Sequence, residues 1–107
     1  MKIRIDNNKM CWRISHAELN LLREGVPLNC DIDLPLPMQF SMSVLALAHH
    51  QVLQLEHNQT NTATRIHLNL SPQGLAELIA QPQQPLRDFV PNHTTELVVE
   101  IDFKSQV

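Results

Sequence analysis

Few side chains in this sequence carry chemistry, and the first to weigh is Cys11. Met10, Trp12 and Ile14 alternate with Cys11 and Arg13, so the thiol falls on the polar side of a strand. Pairing that strand with residues 2–6 sets Arg4 opposite Cys11. Nearby cations favour thiolate over thiol and make a stronger nucleophile. Cys11 with Arg4 and Arg13 is therefore the candidate reactive site. A nucleophile also needs a base and an oxyanion site, and no motif near Cys11 supplies them. The competing reading is a small side chain on a sheet face. Lys2, Arg4 and Arg13 could hold an anion together, or they could be complementary charge for acidic neighbouring strands.

The six histidines are the next candidates. Metal sites need ligands at fixed spacing, such as two histidines one helical turn apart or Cys-x-x-Cys, and neither pattern occurs. His49 and His50 are adjacent and point apart in an extended chain. With His57 they form a metal site only if loops converge, and the plainer reading is surface imidazoles. His67 lies on a polar strand face between Arg65 and Asn69. With two glycines in the chain, glycine-rich phosphate and dinucleotide loops are excluded, and no cofactor is implied. A net charge of −3, with no aromatic residue standing among the basic ones, excludes a dedicated nucleic-acid binder.

The elements that position these residues are legible in the pattern. Ile3 and Ile5 face Trp12 and Met10 across a two-residue turn at Asn7-Asn8, which suits a type I′ hairpin. Ser15 and Glu18 spell a capping box, Ile14 and Leu19 a hydrophobic staple, and Leu19, Leu21 and Leu22 a buried stripe. Gly25 and Pro27 stop that helix. Leu28, Cys30, Ile32 and Leu34 alternate with Asn29, Asp31 and Asp33 as a strand. Met38 to Val44 then return, and residues 45–50 read as either a bulged continuation or a helical turn. Leu53 and Leu55 pair with Leu68 and Ile66 across a polar loop at 57–64, with Glu56 opposite Arg65. Ser71 caps a second helix whose first residue is Pro72, and Pro82 ends it. Residues 81–85 form an extended connector, and Leu97, Val99, Ile101 and Phe103 mark a last strand.

The two halves rhyme. Trp12, Ile14, Ser15, Leu19 and Leu22 fall at one constant offset on Leu68, Leu70, Ser71, Leu75 and Leu78. The expected class is α+β: one mostly antiparallel sheet of about seven strands, barrel closure left open, with two helices and a ββαβ-β-ββαβ repeat. The 107 residues, 43% hydrophobic, make one globular domain over 1–107 with one core. That core includes Ile3, Ile5, Trp12, Leu19, Leu22, Ile32, Leu55, Leu68, Leu75 and Ile101. Cys30 points into it, away from Cys11, so no disulfide is expected between them. One or both of the acidic strands belong beside the basic hairpin. Val98, Leu36, and Leu45 or Leu47 are left as apolar residues on the outside.

The opening MKIRI, then RIS at 13–15 and E-L-x-x-L-x-E-G at 18–25, resembles a family of short uncharacterised bacterial proteins, with fainter echoes at 66–79 and 100–103. The resemblance implies a bacterial cytoplasmic origin and carries over no activity and no functional residue. Two cysteines and a charged, alternating N-terminus without a signal-peptide pattern also point to the cytoplasm, and no apolar run is long enough to span a membrane. The leading expectation is a non-enzymatic interaction or structural module with a protein partner or a second copy of itself. The alternative is a small-ligand binder or enzyme using Cys11 with Arg4 and Arg13, or the histidine cluster.

Overall fold

The computed structural model describes residues 1–103. Eight strands and two helices run in the order β1 (Lys2–Asp6), β2 (Lys9–Ile14), α1 (His16–Arg23), β3 (Leu28–Ile32), β4 (Met38–Val44), β5 (Leu53–Gln59), β6 (Thr64–Leu70), α2 (Pro72–Ala80), β7 (Leu86–Phe89) and β8 (Glu96–Ile101). The class is α+β and the pairing mostly antiparallel. The strands form two open four-stranded sheets, β1-β2-β8-β7 and β3-β4-β6-β5, rather than one sheet or a closed barrel.

The element order is ββαββ written twice. The expected repeat lacked β7, a four-residue strand whose LRDF has too little alternation to announce itself. Each sheet takes one hairpin from each half. The central pairs that join the halves, β2 with β8 and β4 with β6, are parallel. Both parallel ladders end alike: the Asp102 N–H donates to the Ile14 carbonyl at 2.7 Å, and the Leu45 N–H to the Leu70 carbonyl at 2.8 Å. Beyond that bond residues 45–50 are neither strand nor helix.

Local signals hold where chemistry fixes them. The first hairpin has the expected register, Ile3 with Trp12, Arg4 with Cys11 and Ile5 with Met10. Its turn is not type I′, since only Asn8 takes a left-handed φ, +56°. The Ser15–Glu18 capping box is formed in both directions. The end of α1 is a Schellman motif. The Val26 N–H reaches the Leu21 carbonyl at 2.9 Å and the Gly25 N–H the Leu22 carbonyl at 3.0 Å, with Gly25 at φ +80°. In α2 the residue matching Glu18 is Gly74. A Cβ there would lie 3.2 Å from the Val52 carbonyl oxygen, which already accepts the Ser71 N–H at 2.9 Å.

The β5–β6 register is two residues away from the expected one: Leu53 pairs with Leu70, Leu55 with Leu68, and Glu56 with His67 instead of Arg65. The strands run further into the polar segment, so the loop is only residues 60–63, closed by the Thr60 N–H on the Ala63 carbonyl at 2.9 Å. A slip of two keeps every side chain on its face. The last strand stops at Ile101, leaving Phe103 53% exposed.

Side chains from both sheets and both helices fuse into one core. Trp12 of β2, fully buried, meets Phe40 of β4 edge-on at 5.9 Å between centroids. Asp88 of β7 reaches the other sheet, accepting the Val52 and Leu53 N–H groups at the start of β5 at 2.9 and 3.2 Å. With β2 over β4 and β7 over β5, the edges β1 and β3 share the opposite side of the sandwich. Two expected core residues lie on those edges and are not buried: Ile5 is 63% exposed and Ile32 41%. The reverse holds for Val98, expected outside but 1% exposed between Cys11 of β2 and Arg87 of β7. No helix among the described residues is long and apolar enough to cross a membrane.

Ser15→Ala should lower stability by about 1 kcal/mol, as loss of a capping oxygen does, and an unchanged thermal melt would contradict the capping box. Asp88→Ala should cost about 1–3 kcal/mol by leaving two N–H groups at the sheet junction without an acceptor. Denaturant unfolding of the same variant checks it.

Candidate functional site

The outer face of the second sheet is built by alternation. Gln39, Ser41 and Ser43 of β4, Arg65, His67 and Asn69 of β6, and Gln54, Glu56 and Asn58 of β5 all point away from the core. The parallel β4–β6 register sets Ser41 beside His67 and Ser43 beside Asn69. On the other flank Gln54 lies beside Asn69 and Glu56 beside His67.

These residues form a connected network. Ser41 Oγ lies 2.5 Å from His67 Nδ1. His67 Nε2 lies 2.9 Å from Asn69 Oδ1 and 2.7 Å from Ser43 Oγ. Ser43 donates to Asn69 Oδ1 at 3.3 Å, and Asn69 Nδ2 donates to Gln54 Oε1 at 3.3 Å. Asn69 Oδ1 can only accept, so Nε2 carries the imidazole proton. Nδ1 is then the bare nitrogen and accepts the Ser41 hydroxyl. Asn69 is 2% exposed, so the amide that orients the ring is itself held firmly. Ser41, Glu56, His57, Asn58, Arg65 and His67 line a hollow of about 700 Å³. Ser41 and Arg65 also line an adjoining hollow of about 370 Å³ with Asn29, Asp31 and Gln39. Among the described residues Arg65 has no ion-pair partner.

The corresponding face of the first sheet differs. Cys11 and Arg13 of β2 occupy the places of His67 and Asn69 on β6, and Val98 and Glu100 of β8 those of Ser41 and Ser43 on β4. Arg13 holds Glu100 at 2.7 Å. The acidic strand β8 thus lies beside the basic hairpin, as its charge required, whereas β3 with Asp31 joins the other sheet. Cys11, Arg4 and Arg13 do come together, lining a hollow of about 170 Å³ with Lys2 and Ile3. Its cations are engaged elsewhere: Lys2 pairs with Asp102 at 3.3 Å and Arg4 with Asp6 at 3.2 Å. Burial, then the charge and hydrogen bond of Glu100, push the Cys11 thiol up, against a smaller downward pull from Arg13 and Lys9. The pull of Arg13 has the expected sign but is outweighed, so the net direction is toward the thiol. The Arg13 hydrogen bond draws the Glu100 carboxyl below its ordinary value, so this exposed pair stabilises the fold weakly at neutral pH and loses its effect as pH falls through that lowered value.

His49 and His50 do not point apart. A left-handed φ of +75° at His50 brings the two rings to 3.8 Å. His57 lines the large hollow on the second sheet, which neither His49 nor His50 lines. Among the described residues no three His, Cys, Asp or Glu side chains converge to hold a metal. Both cysteines are free thiols. Ser41, Ser43 and Asn69 escaped the reading of the sequence. The S-M-S alternation at 41–43 and R-I-H-L-N at 65–69 were visible, but the parallel pairing that joins them was not.

Cys11 should alkylate with iodoacetamide more slowly than a free thiol at pH 8, gaining speed only at more alkaline pH, and Glu100→Gln should accelerate it. Peptide mapping separates Cys11 from Cys30, and labelling faster than a free thiol would contradict the raised thiol.

Comparison of the chain with protein-family models, with curated proteins and with solved structures finds no match to any of them.

Proposed function

We propose that this chain is a protein-interaction module that works as a homodimer through the side of the sandwich where β1 and β3 are edges. The observation that carries this reading is the exposure of apolar side chains there. Burial fades along both edges with distance from α1: Ile3 is half-buried and Ile5 63% exposed, while Leu28 is 4%, Cys30 half-buried and Ile32 41%. Leu34 follows at 45%. On the opposite side the same fall-off along β5 ends in a polar residue, His57, where β1 has Ile5. Unpaired strand edges with apolar side chains invite another chain.

Charge favours a second copy. The outer face of β1 carries the exposed Lys2 and Arg4, paired within the chain to Asp102 and to Asp6 on the same strand, and β3 with the residues after it carries Asp31 and Asp33. A two-fold axis along the strands would set β1 beside the partner's β3 twice, joining basic to acidic outside and Ile5 to Ile32 inside. An axis normal to the sheets would set like charge against like. Two free thiols fit a reducing compartment, so the working location in this reading is the cytoplasm of a bacterial cell.

Sedimentation equilibrium should show a dimer at micromolar concentration that weakens with added salt. Ile5→Lys with Ile32→Lys should give a monomer with an unchanged thermal melt, since both side chains are exposed. A wild-type chain that stays monomeric to millimolar concentration would overturn the reading.

A further inference from the structure

From the His67 network we infer a second, separate capability: Ser41 is a nucleophile, His67 its general base and Asn69 the positioning residue, together suited to cleaving a small polar carboxylic ester. The inference stands on three contacts. Ser41 Oγ is 2.5 Å from Nδ1, the bare nitrogen, and Nε2–H is shared between Ser43 Oγ at 2.7 Å and Asn69 Oδ1 at 2.9 Å. That is the geometry of a nucleophile, a base and a third group that orients the base. Ser41 lines both hollows on this face, whereas Ser43 lines neither, so Ser41 is the hydroxyl a bound molecule would meet. Arg65 lines both hollows with it and, free of an ion pair among the described residues, supplies donors for an oxyanion.

The comparison within the molecule says that the fold does not require this cluster. At the matching places the first sheet carries Cys11, Arg13, Val98 and Glu100, an apolar residue and a plain ion pair, on the same strand pairing. The second sheet replaces them with residues that form a directed proton path.

In the reaction, Ser41 Oγ attacks the ester carbonyl carbon while its proton passes to His67 Nδ1. The adduct collapses, the bond to the alcohol oxygen breaks, and His67 returns the proton to that oxygen. Water then gives a proton to the same nitrogen and attacks the acyl-serine. The acid leaves, the proton returns to Ser41, and one ester and one water have become one acid and one alcohol.

The test is 4-nitrophenyl acetate with the full chain, followed by nitrophenol release and by mass mapping of the acetyl group. The expected result is acetyl on Ser41 and release that falls about tenfold or more in Ser41→Ala. Ser43→Ala, which leaves Nε2–H to Asn69 alone, should still put the acetyl group on Ser41 but more slowly, and Arg65→Gln should also slow its formation. Asn69→Asp, which still accepts Nε2–H but with full charge, should speed release and move the acid limb of the pH–rate profile upward, a change that a packing role would not cause. Thermal melts of each variant confirm folding. Release in folded Ser41→Ala as fast as in wild type would mean free imidazole chemistry and would overturn the inference. So would acetyl found only on amines.

Discussion

The parallel pairing of β2 with β8 and of β4 with β6 is the constraint on which the molecule depends. Each half of the chain supplies two hairpins and a helix, yet no half owns a sheet. β1 and β2 need β7 and β8 from the other end of the sequence, and β5 and β6 need β3 and β4. Neither half can bury its apolar face alone, so the halves fold as one cooperative unit. Trp12 against Phe40 lies at the centre of that unit, in close contact between the sheets. The two helices carry the chain between the sheets, which is why each begins with a tightly bonded serine cap straight after a central strand.

That shared framework leaves the outer faces free to differ. In one sheet they carry charge pairs: Arg13 with Glu100, Arg87 with Glu96 and Lys2 with Asp102. In the other they carry hydroxyls, an imidazole and amides in hydrogen-bonded sequence. Surface ion pairs on a sheet contribute little and are readily exchanged. A buried, oriented amide such as Asn69 is costly to leave unsatisfied, so its neighbours are held to particular residue types. The lateral edges differ in the same spirit, Asp88 fastening β7 to β5 on one side while Ile5 and Ile32 lie open on the other.

What could be read beforehand was local. The first hairpin, both caps and the Gly25 stop follow from contacts between residues a few places apart. The hairpin register sets Arg4 opposite Cys11 as the pattern predicts, and Arg13 pulls the thiol down as expected, but burial and Glu100 outweigh that pull. Burial is the larger cause, and Glu100, the next, is brought alongside Cys11 and Arg13 only by the β2–β8 register. Val98 looked exposed for the same reason, since alternation says which way a side chain points and not what lies on either flank.

The sequence alone determined the α+β class, the face that every strand except β7 turns inward and the residues that start and stop the helices, because periodicity and capping act within one turn or one hairpin. The tertiary structure decided that there are two sheets instead of one, that Ile5 and Ile32 end at an open edge, and that Ser41, His67 and Asn69 share a hydrogen-bonded line. Those outcomes turn on which strands become neighbours across the chain. Many pairings satisfy the same alternation of polar and apolar residues, and only the joint burial of both sheets against both helices selects among them.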